Sequence, residues 1–358
     1  MFFFNVQHFH KSCHNKLLLK LIFFSTVFAC VVQPGLAQSY ITPKTDSLIQ
    51  KGIRLSIEQK YGEAVSLFTT IEKTEPNHPA GYFFHAATLQ TQMMDYERYN
   101  LESQFFSLLE KTIHLAKKDI RKNPQNAWAH FFLGGAYGYQ AFYRAKQNKL
   151  LDAFKKVTKS VRTLRRAIQI DSTLYDAYLG LGSYLYQKSK LSHSIAWIPF
   201  VKDDRREAIA MLKKGMQKSR YSKYSALNGL CWIYLEQGNY AEGLQLVKTG
   251  LKQFPKSRVF LWCGAKLATK MNRTREAIAF YQKILTSFHK ENVSSPYNEV
   301  ICRKNLAILY ALIKDFDKAQ TECAAIKQIP LDKDTRKRLK AAFKTIDDTC
   351  DFMSQASF

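Results

Sequence analysis

The sequence predicts an all-α protein in which about seven helical hairpins stack into a superhelix. With 358 residues, 46% of them hydrophobic, the chain can bury a large core. Its 15 glycines and 9 prolines are fewer than the tight turns of a sheet protein require. One pattern of small, bulky and proline residues also recurs along the chain. A short recurring unit cannot bury its apolar face alone, so its copies stack.

The first 37 residues are predicted to be a secretory signal peptide. Their only formal charges are Lys11, Lys16 and Lys20, followed by an apolar run at 21–32 and the small residues of "GLAQ". We expect cleavage after Ala37 and export. Two alternatives stay open: an uncleaved anchor, for which the apolar run is short, and a lipoprotein attached through Cys30.

The recurring unit is clearest around "LEQGNYAEGLQLVKTGLKQFPKS", which spans 235–257. Cys231 is followed twelve residues later by Gly243, then four later by Val247, and Pro255 closes the unit. The same offsets recur around 52–76, 265–281 and 307–330. Small residues at facing positions let two antiparallel helices approach, and the bulky residue fills the space between them. The inserts "GN" and "KD" are predicted turns, and the proline ends the second helix.

This pattern resembles the tetratricopeptide repeat, W-x2-LG-x2-Y, A-x3-F and P, from about Asp46 to Leu331. The resemblance implies a right-handed superhelical solenoid, here assigned to 45–331, whose first helices line a concave peptide-binding groove. Ala86, Gly134 and Gly182 are 48 residues apart instead of about 34. We therefore expect about two extra turns in each helix of the central units. Segment 332–358 is predicted to be a capping helix, at 333–348, and a tail.

No catalytic chemistry is predicted. The chain has no HExxH, GxSxG, Gly-rich phosphate loop or EF-hand, and its nine histidines are scattered. We therefore predict no enzyme activity, no metal and no cofactor. The five cysteines after the signal have neither zinc nor CxxC spacing, which favours small buried apolar residues, although their pairing stays open. They are Cys231, Cys263, Cys302, Cys323 and Cys350.

Groove positions carried over from the repeat family give a candidate partner-binding surface. It combines tryptophans, which supply burial area, with lysines that pair with carboxylates. The alternative is that these rings pack between neighbouring first helices. The candidates are Trp128, Phe131, Tyr139, Tyr186, Asn228, Trp232, Trp262, Lys266, Lys270 and Lys304.

A second candidate surface follows from the net charge of +25, which attracts anionic partners. Around 150–168, an apolar stripe of Phe154, Val157, Val161, Leu164 and Ile168 is predicted to face the core. Beside it runs a basic stripe, for which the alternative is an ordinary solvated face. The stripe is Lys155, Lys159, Arg162 and Arg166.

The insert at 192–204, with Trp197, Pro199 and Phe200, is predicted to be a loop that either covers the core or forms an exposed lip. Taken together, these patterns indicate a non-catalytic scaffold or adaptor of the cell envelope, periplasmic or attached to the outer membrane, that binds other envelope proteins in its groove. The alternative is a basic protein that associates with anionic lipid or envelope polysaccharide. Nucleic acid is the least accessible anionic partner for an exported chain.

Overall fold

The structure is a computed structural model that describes residues 40–193, 203–291 and 293–356, without the side chains of 191–193 and 351–356. Within these ranges the chain forms sixteen helices and no strand. The predicted signal segment at 1–37, including Cys30, lies outside the described residues, as does most of the predicted insert at 192–204, namely 194–202. No helix in the described part of the chain is long and apolar enough to cross a bilayer.

Fourteen of the helices pair into seven hairpins, as the sequence predicts. The first helices of the hairpins are α1 (Pro43–Ile57), α3 (Pro79–Tyr96), α5 (Ala127–Lys146), α7 (Asp176–His193), α9 (Lys223–Gln237), α11 (Arg258–Lys270) and α13 (Pro296–Leu312). The second helices are α2 (Tyr61–Thr74), α4 (Glu102–Lys122), α6 (Leu150–Ile170), α8 (Arg205–Lys218), α10 (Tyr240–Gln253), α12 (Thr274–Lys290) and α14 (Phe316–Lys327). Two further helices follow, α15 (Lys333–Arg338) and α16 (Lys340–Ala356).

The extra residues of the central units lie in their helices. Helices α3, α4, α5 and α6 have 18, 21, 20 and 21 residues, whereas α1, α2, α9 and α10 have 14 or 15. An addition of about seven residues is close to two helical turns, so the packing face is retained. The central hairpins therefore extend beyond their neighbours.

The six turns between paired helices that the structure describes in full share one backbone feature, a single residue in the left-handed region. In the "GN" insert this is Gly238, with φ of 81°, and in the "KD" insert it is Lys314, with φ of 61°. Glycine adopts this conformation without steric cost. Asn148 and Asn272 do so in two other turns, consistent with the tolerance of asparagine for this region. Both predicted turns are confirmed.

Small residues mark close contacts between paired helices. A β-carbon on Gly134 of α5 would lie 2.7 Å from Cγ of Leu164 of α6, and one on Gly52 of α1 would overlap the ring of Phe68 of α2. Phe68 and Leu164 are themselves buried. In each pair, a large side chain of the second helix fills the space beside a small residue of the first helix.

The early hairpins also contact the late ones directly. The side chain of Arg258, at the start of α11, is fully buried and lies 2.6 Å from Asp95, near the end of α3. The hydroxyl of Ser257 donates to the carbonyl of Ile57 at 2.7 Å, and the amide of Asn298 donates to the carbonyl of Asp95 at 2.7 Å. The superhelix thus closes on itself within the compact unit Tyr40–Phe358.

The C-terminal segment forms two helices instead of the single helix predicted over 333–348. The break falls at Leu339, which is 1% exposed and packs in a small cluster with Val300 and Ile326. Burial of Leu339 at the end of α15 redirects the chain into α16. A disulfide joins Cys323 of α14 to Cys350 of α16, while Cys231, Cys263 and Cys302 are buried free thiols.

Candidate groove and basic face

The first helices form the inner layer of the stack. Each of α1, α3, α5, α7 and α9 contacts the next first helix along the chain. Closer packing in this layer than in the second-helix layer makes it the concave side of the superhelix. All ten candidate groove residues lie on α5, α7, α9, α11 and α13.

The candidates on α5 and α7 belong to the core, so they do not line an open groove. Phe131 and Tyr186 are 6% and 3% exposed, and Tyr139 contacts the ring of Phe83 at 5.6 Å. Burial raises the pKa of Tyr139 to about 12. For Phe131 and Tyr186 the packing alternative is the observed one. Phe131 packs in the large aromatic cluster of the early hairpins, and Tyr186 packs in a separate cluster with Leu212 and Leu230.

Trp128 is covered by a residue from a distant hairpin. Its ring lies 5.5 Å from that of Tyr221, which precedes α9 and also contacts Phe84 of α3 at 5.2 Å. The Tyr221 hydroxyl donates to Asp46 of α1 at 2.6 Å. Tyr221 therefore occupies the inner side of the early hairpins, and Trp128 contacts it there.

The remaining six candidates lie on three successive first helices, and we call them the Trp–Lys strip. They are Asn228 and Trp232 of α9, Trp262, Lys266 and Lys270 of α11, and Lys304 of α13. The Lys266 ammonium lies 5.1 Å from the centre of the Trp232 ring. Trp262 meets Tyr281 edge-on at 6.2 Å. Both tryptophans remain partly exposed, and Lys266 and Lys270 are exposed.

The lysines of the strip have no acidic partner among the described residues. Burial lowers the pKa of the Lys304 ammonium, and the nearby charge of Lys266 lowers it further. Two like charges held close together in a partly desolvated site favour an anion between them. The nearest acid along α9, Glu236, already pairs with Lys190.

Asn228 adds an unsatisfied acceptor to the strip. Its Oδ1 is buried and has no hydrogen-bond partner in the described structure. A buried oxygen without a donor is costly, and in native proteins it usually meets a water or a ligand group. Asn228 lies one turn before Trp232 on α9. The strip therefore offers a hydrogen-bond acceptor, two rings and three cations.

The thiols near the strip are not poised as nucleophiles. A hydrogen bond from the Cys263 thiol to Cys231, together with burial, raises the pKa of Cys263, and burial raises that of Cys302. Thiols with raised pKa values stay protonated and unreactive. No group of three or more potential metal ligands occurs in the described ranges. These cysteines pack as apolar residues, as the sequence predicts.

The basic stripe lies on the outer surface of α6. Lys155, Lys159, Arg162 and Arg166 are all exposed. Of the predicted apolar stripe beside it, Val161 and Leu164 are buried, and Val157 and Ile168 pack partly against the core. The prediction for Phe154 is wrong, because its side chain is 69% exposed. It lies in the first turns of α6, close to the turn at Asn148.

Comparison with known proteins rests on structure, since neither a family model nor a curated sequence matches the chain. Among solved structures, the APC/C hetero-tetramer Cut9–Hcn1 aligns over 88% of this chain and 53% of that chain, with 16% identity and a TM-score of 0.51. The C-terminal part of a TPR repeat-containing protein from Cytophaga hutchinsonii aligns over 81% and 98%, with 18% identity and a TM-score of 0.43.

PilW, described as a type IV pilus biogenesis factor, aligns over 69% of this chain and 96% of that chain, with 14% identity and a TM-score of 0.47. At these identities the likeness concerns the fold alone. The alignment with Cut9–Hcn1 agrees with the stacked helical hairpins described above. The chain therefore has an all-α fold of the tetratricopeptide-repeat type.

Proposed function

We propose that the chain is a non-catalytic interaction scaffold of the cell envelope that binds acidic segments of partner proteins along the Trp–Lys strip. The main support is the position of Lys266, which lies over the Trp232 ring and near the partly desolvated Lys304. Neither lysine is paired with an acid in the described chain. A partner carboxylate between these ammonium groups would relieve their repulsion. The rings would supply contact area at low entropic cost.

An extended segment suits the arrangement of the strip. Its residues are distributed over three successive first helices, so a single chain crossing them contacts Trp232, Trp262 and Lys304 in turn. The unsatisfied Oδ1 of Asn228 would accept a hydrogen bond from the backbone of that segment. The envelope location rests on the predicted signal peptide.

Binding of acidic peptides provides a direct test. Each peptide is compared with a neutral version in which Asn replaces every Asp and Gln replaces every Glu. Fluorescence anisotropy should show tighter binding of the acidic member. The variant Trp262→Ala/Lys266→Ala/Lys270→Ala should weaken that binding by about tenfold or more, the effect of losing an interface anchor. Lys213→Ala/Lys252→Ala/Lys256→Ala removes three exposed lysines outside the strip and is the matched control.

The same two variants can then be compared in a capture experiment from native envelope extract. A protein held by the wild type and the control, but not by the strip variant, would identify the partner. Part of the binding should survive moderate salt, because contacts to the rings are not screened. Equal binding of both peptide versions, or equal affinity of the strip variant and the wild type, would refute the proposed site.

A further inference from the structure

The tip of the α5–α6 hairpin exposes four large apolar side chains, which we call the tip patch. They are Phe142, Leu150, Leu151 and Phe154, with exposures of 50%, 67%, 82% and 69%. In the described structure only Leu312 and Ile313 are other large hydrophobic residues with comparable exposure. Apolar side chains clustered on a surface commonly mark an interaction site.

The four residues all lie close to the turn of the hairpin. The turn contains Asn148, with φ of 58°, and Phe142 and Phe154 are six residues before and after it. At about 1.5 Å per residue, both lie about 9 Å from the turn. Leu150 and Leu151 fill the interval on α6. The tip patch thus places four exposed apolar side chains within about 9 Å of the turn, measured along the hairpin.

The hairpin tip is held in place by contacts to its neighbours. Arg144 stacks over the ring of Phe106 at 4.4 Å, and its guanidinium lies 3.1 Å from Asp152. Asp152 is the only acid on α6, which carries six lysines and arginines. Because Arg144 already neutralises Asp152, the surface around the tip patch has no free negative charge on this helix.

The basic stripe continues directly from the tip patch. Successive helical residues are about 100° apart, so Lys155 lies about 40° around the helix from Leu151. Arg162 and Arg166 follow on the same side of α6, about two and three turns after Lys155. Leu151 therefore shares this basic side, whereas Leu150 and Phe154 lie further around the helix at the tip.

We propose that the tip of the α5–α6 hairpin docks the protein on an anionic phospholipid bilayer, with the tip patch inserted among the acyl chains and the basic stripe facing the headgroups. Insertion of the hairpin by its tip would bury the patch to about 9 Å, which is comparable with the depth of about 5–10 Å reached by the apolar residues of interfacial helices. Headgroup phosphates complement the basic stripe. A polysaccharide or an acidic protein surface offers negative charge but gives no reason for the exposed leucines and phenylalanines.

Flotation with lipid vesicles tests this docking. The chain starting at Gln38 contains the whole compact unit Tyr40–Phe358 and omits the apolar run at 21–32, which could itself bind lipid. It should float with vesicles of phosphatidylglycerol and phosphatidylethanolamine, and not with pure phosphatidylcholine. Leu150→Gln/Leu151→Gln/Phe154→Gln and Lys155→Glu/Lys159→Glu/Arg162→Glu should each lower the partition coefficient at least tenfold.

Matched controls use equivalent residues elsewhere on the surface. Leu312→Gln/Ile313→Gln changes the other exposed apolar pair, and Lys213→Glu/Lys252→Glu/Lys256→Glu reverses three exposed charges outside α6. Neither should change flotation more than twofold. All these side chains are exposed, so the variants should fold, as circular dichroism will show. Acidic-peptide binding by the tip variant should equal that of the wild type, which separates this proposal from the Trp–Lys strip.

Insertion can be read separately from binding. An environment-sensitive fluorophore on Leu151→Cys should shift its emission to the blue with anionic vesicles, and the same label on Leu312→Cys should not. The native free thiols, Cys231, Cys263 and Cys302, are buried and should not compete for the label. Three results would overturn the proposal: flotation that survives the tip variant, no shift at position 151, or light scattering that shows a dimer of the wild type and a monomer of the tip variant. The last would assign the tip patch to a second copy of the chain.

Discussion

The guanidinium of Arg258 lies 2.6 Å from the carboxylate of Asp95, although 163 residues separate them along the chain. A second carboxylate, Glu291, lies 2.5 Å from the same guanidinium, and the ring of Phe288 lies 4.3 Å from its carbon. Burial raises the pKa of the Asp95 carboxyl despite the opposing effect of Arg258. The contact joins the second hairpin to the sixth, so the solenoid is more than a linear series of neighbours.

Arg258→Met should destabilise the protein strongly, because Asp95 would remain buried without its cation. Breaking a buried ion pair from one side costs about 3–5 kcal/mol. Urea denaturation followed by circular dichroism should show a clearly lower midpoint. Adding Asp95→Asn should restore part of the loss. The control is Arg273→Ala, whose ion pair with Glu276 is half exposed and 3.4 Å long; such pairs contribute about 0–1 kcal/mol. Equal midpoints for Arg258→Met and the control would contradict a joining role.

Two glycine-to-alanine substitutions should have opposite effects. Gly134→Ala places a β-carbon 2.7 Å from Leu164 in a close helix contact, and such overpacking costs about 1–3 kcal/mol. Gly229→Ala, within α9, meets no atom within 4 Å, so the better helix propensity of alanine should stabilise by up to about 1 kcal/mol. The urea midpoint of each variant measures the difference. A gain in stability for Gly134→Ala would show that α5 and α6 are not closely packed at this glycine.

The hairpins could be predicted from the sequence because their contacts are local. The twelve-residue offset from Cys231 to Gly243 and the four further residues to Val247 reflect packing within one unit, so periodicity reveals them. Even the extra turns of α5 and α6 follow from the 48-residue spacing between Gly134 and Gly182. Each of these contacts repeats along the chain, and repetition makes a weak pattern visible.

Contacts between distant hairpins leave no such pattern. Nothing near Asp95 in the sequence marks it as the partner of Arg258, and Tyr221 gives no sign that it meets Trp128 and Asp46. The curvature that buries Phe131 depends on helix lengths summed over several units. Phe154 was wrongly predicted to face the core because it has the same helical spacing as the buried residues of α6. Its exposure follows from its position at the tip of the hairpin, which spacing does not reveal.

The disulfide between Cys323 and Cys350 should stabilise the C-terminal helices. Closing a loop of this length, 27 residues along the chain, contributes about 3–4 kcal/mol in the chain-entropy model. Cys323→Ala/Cys350→Ala should therefore unfold α15 and α16 at lower urea concentration. Mass spectrometry after maleimide labelling provides the check. The unfolded chain from Gln38 should take up three labels without reductant and five with it. Five labels without reductant would show that the disulfide does not form.

Acidic-peptide binding should weaken at alkaline pH earlier than for ordinary exposed lysines. Burial and Lys266 lower the pKa of Lys304 below its ordinary 10.5. A lowered pKa means that Lys304 loses its proton before an ordinary exposed lysine does as pH rises. A bound carboxylate favours the charged form, so deprotonation and binding oppose each other. The affinity should therefore fall as pH rises through the pKa of Lys304.

Lys304→Arg provides the decisive comparison, because a guanidinium keeps its charge above pH 12. Anisotropy titrations from neutral pH to about pH 10 should show a decline for the wild type and a flatter curve for Lys304→Arg. Lys270→Arg changes an exposed lysine of the same strip and should follow the wild type. If all three proteins lose affinity in parallel, Lys304 does not contact the bound carboxylate, and the site must be centred on α9 and α11 instead. If only Lys304→Arg holds its affinity, the pair Lys266 and Lys304 binds the acid.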